Sequence, residues 1–172
     1  PFRRWLARVL APVIGLFARL RVPPNAVSLS QIPFGFAIAS LIALAPRVAF
    51  GLFALCLLLD GVDGALARST GRASPLGALV DQISDHIREI TVIGGLVAAG
   101  ALRGEIGVAY ALIYPLSNFL LYVGNRYGAQ VPVALKTWMV FYPFLFLFLW
   151  FEINWLDYAG GVAAGSMVLA GM

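Results

Sequence analysis

Four aspartates stand inside otherwise apolar segments of this chain: Asp60 and Asp63, then Asp81 and Asp85. A carboxylate in apolar surroundings is costly and needs a partner. The chain has eight acidic residues in all, and half of them fall in this one window. Carboxylates that repel one another can be held together by a cation. An oxygen-only ligand set suits Mg²⁺ or Mn²⁺, which keep waters and share substrate phosphates. Asp60 and Asp63 are three residues apart and Asp81 and Asp85 four apart, so on helices each pair lies on one face. Two neighbouring helices would then present all four carboxylates to one cavity. Gly61 and Gly64 remove side chains around Asp63, which lets a phosphate come close to the backbone. Ala65 and Ala67 keep the surroundings small. Arg68 adds a fixed charge suited to a phosphate, although a cation at a cytoplasmic helix end would also be unremarkable. Together these residues describe a site for a diphosphate-containing substrate.

The elements that must carry such a site are membrane helices. Of 172 residues, 61% are hydrophobic and 12% charged, half the charged share of an ordinary soluble domain. Mean hydropathy is +0.89. At about 20 apolar residues per crossing, the sequence divides into six spans and predicts an all-α integral membrane protein. The spans are expected near 25–45, 48–68, 76–102, 106–124, 132–151 and 154–172, with a short turn at Arg103-Gly104-Glu105. Residues 1–22 read as an amphipathic juxtamembrane helix, with Trp5, Leu6, Val9 and Leu10 among Arg3, Arg4 and Arg8, ended by Pro23-Pro24. Arginines interrupt every apolar run before Pro24, which argues against a cleavable signal peptide. The single cysteine, Cys56, excludes a disulfide framework and a multi-cysteine zinc site. Arginine and lysine concentrate on one side of this layout, at Arg19, Arg21, Arg68, Arg72, Arg126 and Lys136. Arg47 and Arg103 fall on the other side with Glu105, Glu152 and Asp157. The positive-inside rule places the N-terminus and the aspartates in the cytoplasm. The basic balance therefore points to a membrane surface rather than to nucleic acid. Trp150, Phe151 and Trp155 would form an aromatic belt at the far interface, and Gly161-x-x-x-Gly165 would admit a neighbouring helix.

The run from Asp60 to Asp85 reads D-x-x-D-G-x-x-A-R, eight residues, G-x-x-x-D-x-x-x-D, with Asp60, Asp63, Gly64, Ala67, Arg68, Gly77, Asp81 and Asp85 at the fixed positions. This pattern resembles the signature of the CDP-alcohol phosphotransferase family. Pro24-Asn25, opening the first span, also looks like the family's pattern. The resemblance implies a six-span catalytic domain over residues 23–172, a homodimer, and transfer of a phosphatidyl group from a CDP-alcohol to an acceptor hydroxyl with release of CMP. The preferred donor is CDP-diacylglycerol, the acceptor a small polar alcohol or polyol, and the setting phospholipid synthesis at the inner membrane. It further implies two divalent ions held by Asp60, Asp63, Asp81 and Asp85, with Asp85 as the general base. Asn25, Gly64, Ala67, Arg68 and Ser74 would hold the cytidine diphosphate, and Asn25 could equally be the N-cap of the first span. Arg126 and Lys136 are the candidates for a phosphorylated acceptor, although Gly124 stands where a lysine is often found. His86, Arg88 and Glu89 would either help select the acceptor or pair with internal neighbours. An alternative donor is a CDP-linked small alcohol such as choline, ethanolamine or inositol. The rivals from other classes are a cation transporter with intramembrane aspartates and a lipid-diphosphate phosphatase.

Overall fold

The computed structural model describes residues 10–127 and 137–171. Among the described residues there are seven helices and no strands: α1 Ala11–Arg19, α2 Pro24–Leu41, α3 Pro46–Ser69, α4 Pro75–Ala98, α5 Gly104–Arg126, α6 Thr137–Phe151 and α7 Leu156–Gly171. The helix starts follow from the sequence. Pro24, Pro46 and Pro75 each occupy the first helical position, where a missing N–H costs nothing and φ is already helical. The stops of α3 and α4 are glycines in the left-handed region, Gly71 at φ 66° and Gly100 at φ 69°. At the first of these, the N–H of Arg72 donates to the Ala67 carbonyl and that of Gly71 to the Arg68 carbonyl. This satisfies carbonyls that a helix end otherwise leaves bare.

The most extensive packing is between α2 and α4, followed by α2 with α3, and then α5 and α6 with α7. Two small residues let α2 and α4 approach. A Cβ on Gly95 would lie 2.6 Å from Ala39 Cα, and one on Gly35 would lie 3.0 Å from Arg88 Cα. The main core gathers Ile38, Phe53, Leu96, Tyr110, Phe141, Leu145 and Leu156. A smaller cluster joins Leu10 and Ile14, beside and in α1, to Val27 of α2 and to Val62 and Leu66 of α3. Of the segment 1–22 read as an amphipathic helix, the part Ala11–Arg19 is helical and residues 1–9 lie outside the described residues.

Among the described residues, two stretches are long and apolar enough to cross a membrane, Pro46–Ser69 and Gly104–Gly124, and Met139–Phe151 is apolar but shorter. Helix α4 carries Asp81, Asp85, Arg88 and Glu89, which disqualifies it on charge, and the described α7 is 16 residues long. The expected turn at Arg103-Gly104-Glu105 is shorter than supposed, because Gly104 and Glu105 already belong to α5. The Arg103 N–H instead donates to Asp157 Oδ1 at 2.9 Å, fastening the loop to the start of α7. Gly161 and Gly165 meet no helix among the described residues; Gly160 is the position that packs, with Ile106 Cγ2 2.8 Å from where its Cβ would be.

Candidate metal and phosphate site

Helices α3 and α4 bring the carboxylates together. Asp60, Asp63 and Asp81 each offer an oxygen, and the three atoms lie within 4.8 Å of one another. Asp63 is the buried member, and Asp60 and Asp81 are half-buried. Ser28 of α2 donates its hydroxyl to Asp63 Oδ2 at 2.7 Å, and the Gly64 N–H donates to Asp63 Oδ1. Both oxygens of Asp63 are thereby oriented before any ligand arrives. Asp81 Oδ1 is buried without a hydrogen-bond partner. A convergent set of oxygen donors with one buried acceptor left over is what a hard divalent cation would complete. These residues therefore fit Mg²⁺ or Mn²⁺.

Asp85, one turn further along α4, has a different neighbour. Its Oδ1 lies 2.9 Å from Arg88 Nη1. That contact is a charge pair and not an aligned hydrogen bond, since Asp85 Oδ1 has no hydrogen-bond partner. The carboxylate of Asp85 also faces that of Asp60. Arg88, 3% exposed, donates through Nη1 to Gln31 Oε1 of α2. Glu89, 2% exposed, accepts from the Tyr110 hydroxyl at 2.8 Å and from the Tyr142 hydroxyl at 2.9 Å. Arg88 and Glu89 thus take the second of the roles open to them in the sequence, pairing with internal neighbours. His86 stacks edge-on against Tyr114 with ring centroids 5.0 Å apart.

Next to the carboxylates lies a cavity of about 190 Å³. Asn25, Gly64, Ala67, Arg68 and Ser74, all five residues expected to hold the cytidine diphosphate, line it together with Asp63, Asp81 and Arg72. Asn25 is not the N-cap of the first span, because Pro23 fills that position and Pro24 is already helical. Ser74 is the N-cap of α4, its Oγ accepting the Gly77 N–H at 3.0 Å. A Cβ on Gly77 would come 3.2 Å from both Asn25 Oδ1 and Ser74 Oγ, so the signature glycine keeps that wall open. A Cβ on Gly64 would lie 3.2 Å from Arg68 Nη1, which shows the guanidinium folded back one turn over Gly64. Lys136 and the side chain of Arg126, the acceptor candidates, lie outside the described residues.

Sequence reasoning passed over Ser28, Arg72, Gln31, Tyr110 and Tyr142. Gln31 carried a usable signal, since an amide inside an apolar span needs a polar partner. Ser28 and the two tyrosines carried none, because their partners are brought to them by the fold.

The family model described as CDP-alcohol phosphatidyltransferase matches residues 21–170. The chain belongs to this family. It is 38% identical over 95 residues to the archaetidylinositol phosphate synthase of Aeropyrum pernix, covering 55% of this chain and 49% of that protein. It is 32% identical over 114 residues to the phosphatidylinositol phosphate synthase of Streptomyces avermitilis, covering 64% and 46%. The chain spans about half the length of these curated relatives. Among solved structures, the phosphatidylinositol phosphate synthase of Mycobacterium tuberculosis with CDP-DAG bound superposes with a TM-score of 0.79 at 17% identity, over 96% of this chain and 90% of the other. The same enzyme in complex with manganese and citrate gives 0.71 at 15% identity, over 93% and 84%. At these identities the likeness is one of fold.

Proposed function

We propose that this protein moves a phosphatidyl-type group from a CDP-alcohol lipid, CDP-diacylglycerol in the first instance, to an acceptor hydroxyl, with release of CMP. The observation that carries the reading is the juxtaposition of the three-carboxylate group with a cavity lined by every residue expected to hold a cytidine diphosphate. In the reaction the acceptor oxygen forms a bond to the lipid-side phosphorus of the diphosphate. The P–O bond to the cytidine-side phosphate breaks, and CMP leaves with that bond's electron pair. The hydroxyl proton goes to Asp85, the carboxylate that Arg88 holds beside the cluster. Arg68 and Asn25 bind and orient the diphosphate, and Ser28 holds Asp63. Asp60, Asp63 and Asp81 would hold Mg²⁺ or Mn²⁺, two ions with Asp85 contributing; so bound, the metal neutralises the diphosphate and stabilises charge on the departing CMP.

The arginine asymmetry supports a six-span fold with the carboxylates facing the cytoplasm at the inner membrane, residues 1–22 lying on the leaflet and residues 23–172 forming the catalytic domain. A homodimer is proposed on the family resemblance alone. The acceptor class we favour is an inositol phosphate, supported by the names of the two curated relatives. The test is CMP release by detergent-purified protein with Mg²⁺, CDP-diacylglycerol and single acceptors, inositol phosphate first. We expect acceptor-dependent CMP that falls about a hundredfold or more in Asp85→Asn. CMP release without any acceptor would mean a phosphatase, and no CMP from any CDP-alcohol would refute the reading.

A further inference from the structure

The family signature ends at Asp85, yet the polar structure continues beyond it into the middle of the bundle. Arg88 sits one turn past Asp85 and is buried, as is Gln31, which receives its Nη1–H. Nothing in a metal or diphosphate site requires an arginine at that depth. A buried charge among apolar helices is retained at a cost and by default marks function. Three features fix where its guanidinium points. Gly35, four residues after Gln31 on the same face of α2, lets the α4 backbone come in at Arg88 itself. Gln31 Oε1 then accepts from Nη1, and Asp85, three residues back on α4, lies 2.9 Å from that same nitrogen. Glu89, the neighbouring residue, is buried too and is held by two tyrosine hydroxyls from α5 and α6. Polar residues therefore continue from the α5–α6 layer at Glu89, through Arg88 next to it along α4, to the last aspartate of the signature.

Building on the phosphatidyl-transfer reading, we infer that Arg88 is a positioning residue, clamped by Gln31 and backed by Glu89, which sets the orientation of Asp85 toward the acceptor hydroxyl. A lysine cannot do this. It keeps the charge, but on a flexible stem that lacks the rigid guanidinium plane holding Nη1 between Gln31 and Asp85.

The experiment compares wild type with Arg88→Lys, Gln31→Leu and Tyr142→Phe in detergent, measuring CMP-forming kinetics, Mn²⁺ affinity by paramagnetic resonance, and the thermal midpoint. A group that acts only by orienting a side chain beside a metal site is worth about 10–100-fold. We expect kcat to fall by about tenfold or more in Arg88→Lys and by less in the other two. The KM for CDP-lipid should stay within about twofold of wild type, and the Mn²⁺ affinity, to which Asp85 contributes at one ion only, should fall several-fold less than kcat. A merely structural arginine would lower the thermal midpoint while folded protein kept its kcat. Unchanged kcat in Arg88→Lys and Gln31→Leu would overturn the inference, as would a kcat loss matched by an equal loss of Mn²⁺ affinity. If Arg88→Lys does not purify as a monodisperse species, Gln31→Leu and Tyr142→Phe decide alone, since each removes a clamp without moving a charge. A wild type that releases no CMP refutes the functional reading and takes this inference with it, whereas an active wild type with unaffected variants refutes the inference alone.

Discussion

Asp81→Asn should raise the stability of the metal-free protein and remove most of the stability that metal adds. Asp81 has partners within 4.8 Å in both Asp60 and Asp63. At an effective dielectric of about 20, each ionised pair at that separation repels by about 3.5 kcal/mol. Asp60 and Asp81 are half-buried, so solvent screens much of this and about 1–2 kcal/mol of relief is a realistic yield. The amide costs little in return, because Asp81 Oδ1 accepts no hydrogen bond that would be lost. For a chain of this size that corresponds to a rise of about 2–8 °C in the metal-free thermal midpoint. With Mn²⁺ at a hundred times its dissociation constant, wild type gains about 2.7 kcal/mol, and the variant, lacking one ligand, gains a fraction of that. The two proteins should therefore exchange rank between chelator and saturating Mn²⁺. Differential scanning fluorimetry in detergent with EDTA or with a Mn²⁺ series reads both arms. A metal-free variant less stable than wild type, or an equal rise with Mn²⁺ in both, would show that these three carboxylates do not form a metal site.

Two further outcomes follow from single contacts. Ser28→Ala removes the hydroxyl that holds Asp63 Oδ2 and should weaken Mn²⁺ binding by about 10–100-fold with the fold intact; calorimetric titration giving an affinity within about twofold of wild type would count against that contact. Gly95→Ala places a methyl 2.6 Å from the Ala39 backbone, where no side chain can yield, and should destabilise the protein by about 1–3 kcal/mol. Gly94→Ala, with open space at the same level of α4, is its control in a thermal scan and should cost nothing by crowding.

What was legible in the sequence was whatever depends on spacing along one helix. The three- and four-residue intervals between the aspartates put each pair on one face, and the structure gathers Asp60, Asp63 and Asp81 from two helices. The proline-led starts of α2, α3 and α4 were readable within a few residues. Asn25 has the capping propensity of its type, but Pro24 is better placed as the first helical residue and displaces the cap to Pro23. Gly161 and Gly165 have suitable spacing for close packing, but the phase of α7 turns Gly160 inward instead, a choice made by Ile106 and Leu102 of the neighbouring layer. The hydroxyl partners of Glu89 stand 21 and 53 residues away, and no local pattern encodes contacts of that range.

The same periodicity, read against burial, explains how a helix with four charges can belong to a membrane bundle. On α4 the inward stripe is Ser74, Gly77, Asp81, Asp85 and Arg88, at intervals of three and four, and it meets the cavity, the carboxylate group or Gln31. The opposite stripe is Leu76, Leu79, Ile83 and Ile87, all exposed. On α3, Asp60, Asp63, Gly64 and Ala67 repeat the first pattern, while Leu55 and Leu58 are exposed. A water-soluble helix puts its apolar stripe inward and its charges outward; α3 and α4 do the reverse. Mean hydropathy cannot detect this arrangement, since it averages the two faces, and so the helix that contributes half of the aspartates is the one that fails a span test based on charge. The inversion suits an apolar surround on the outside and a wet polar seam within, because an exposed leucine stripe beside an enclosed carboxylate cluster would be unfavourable on both faces in water. Ser28, Gln31 and Gly35 extend the seam along α2. The site is therefore the place where the polar stripes of three helices meet, and the outward leucines of α3 and α4 lie on the faces turned away from it.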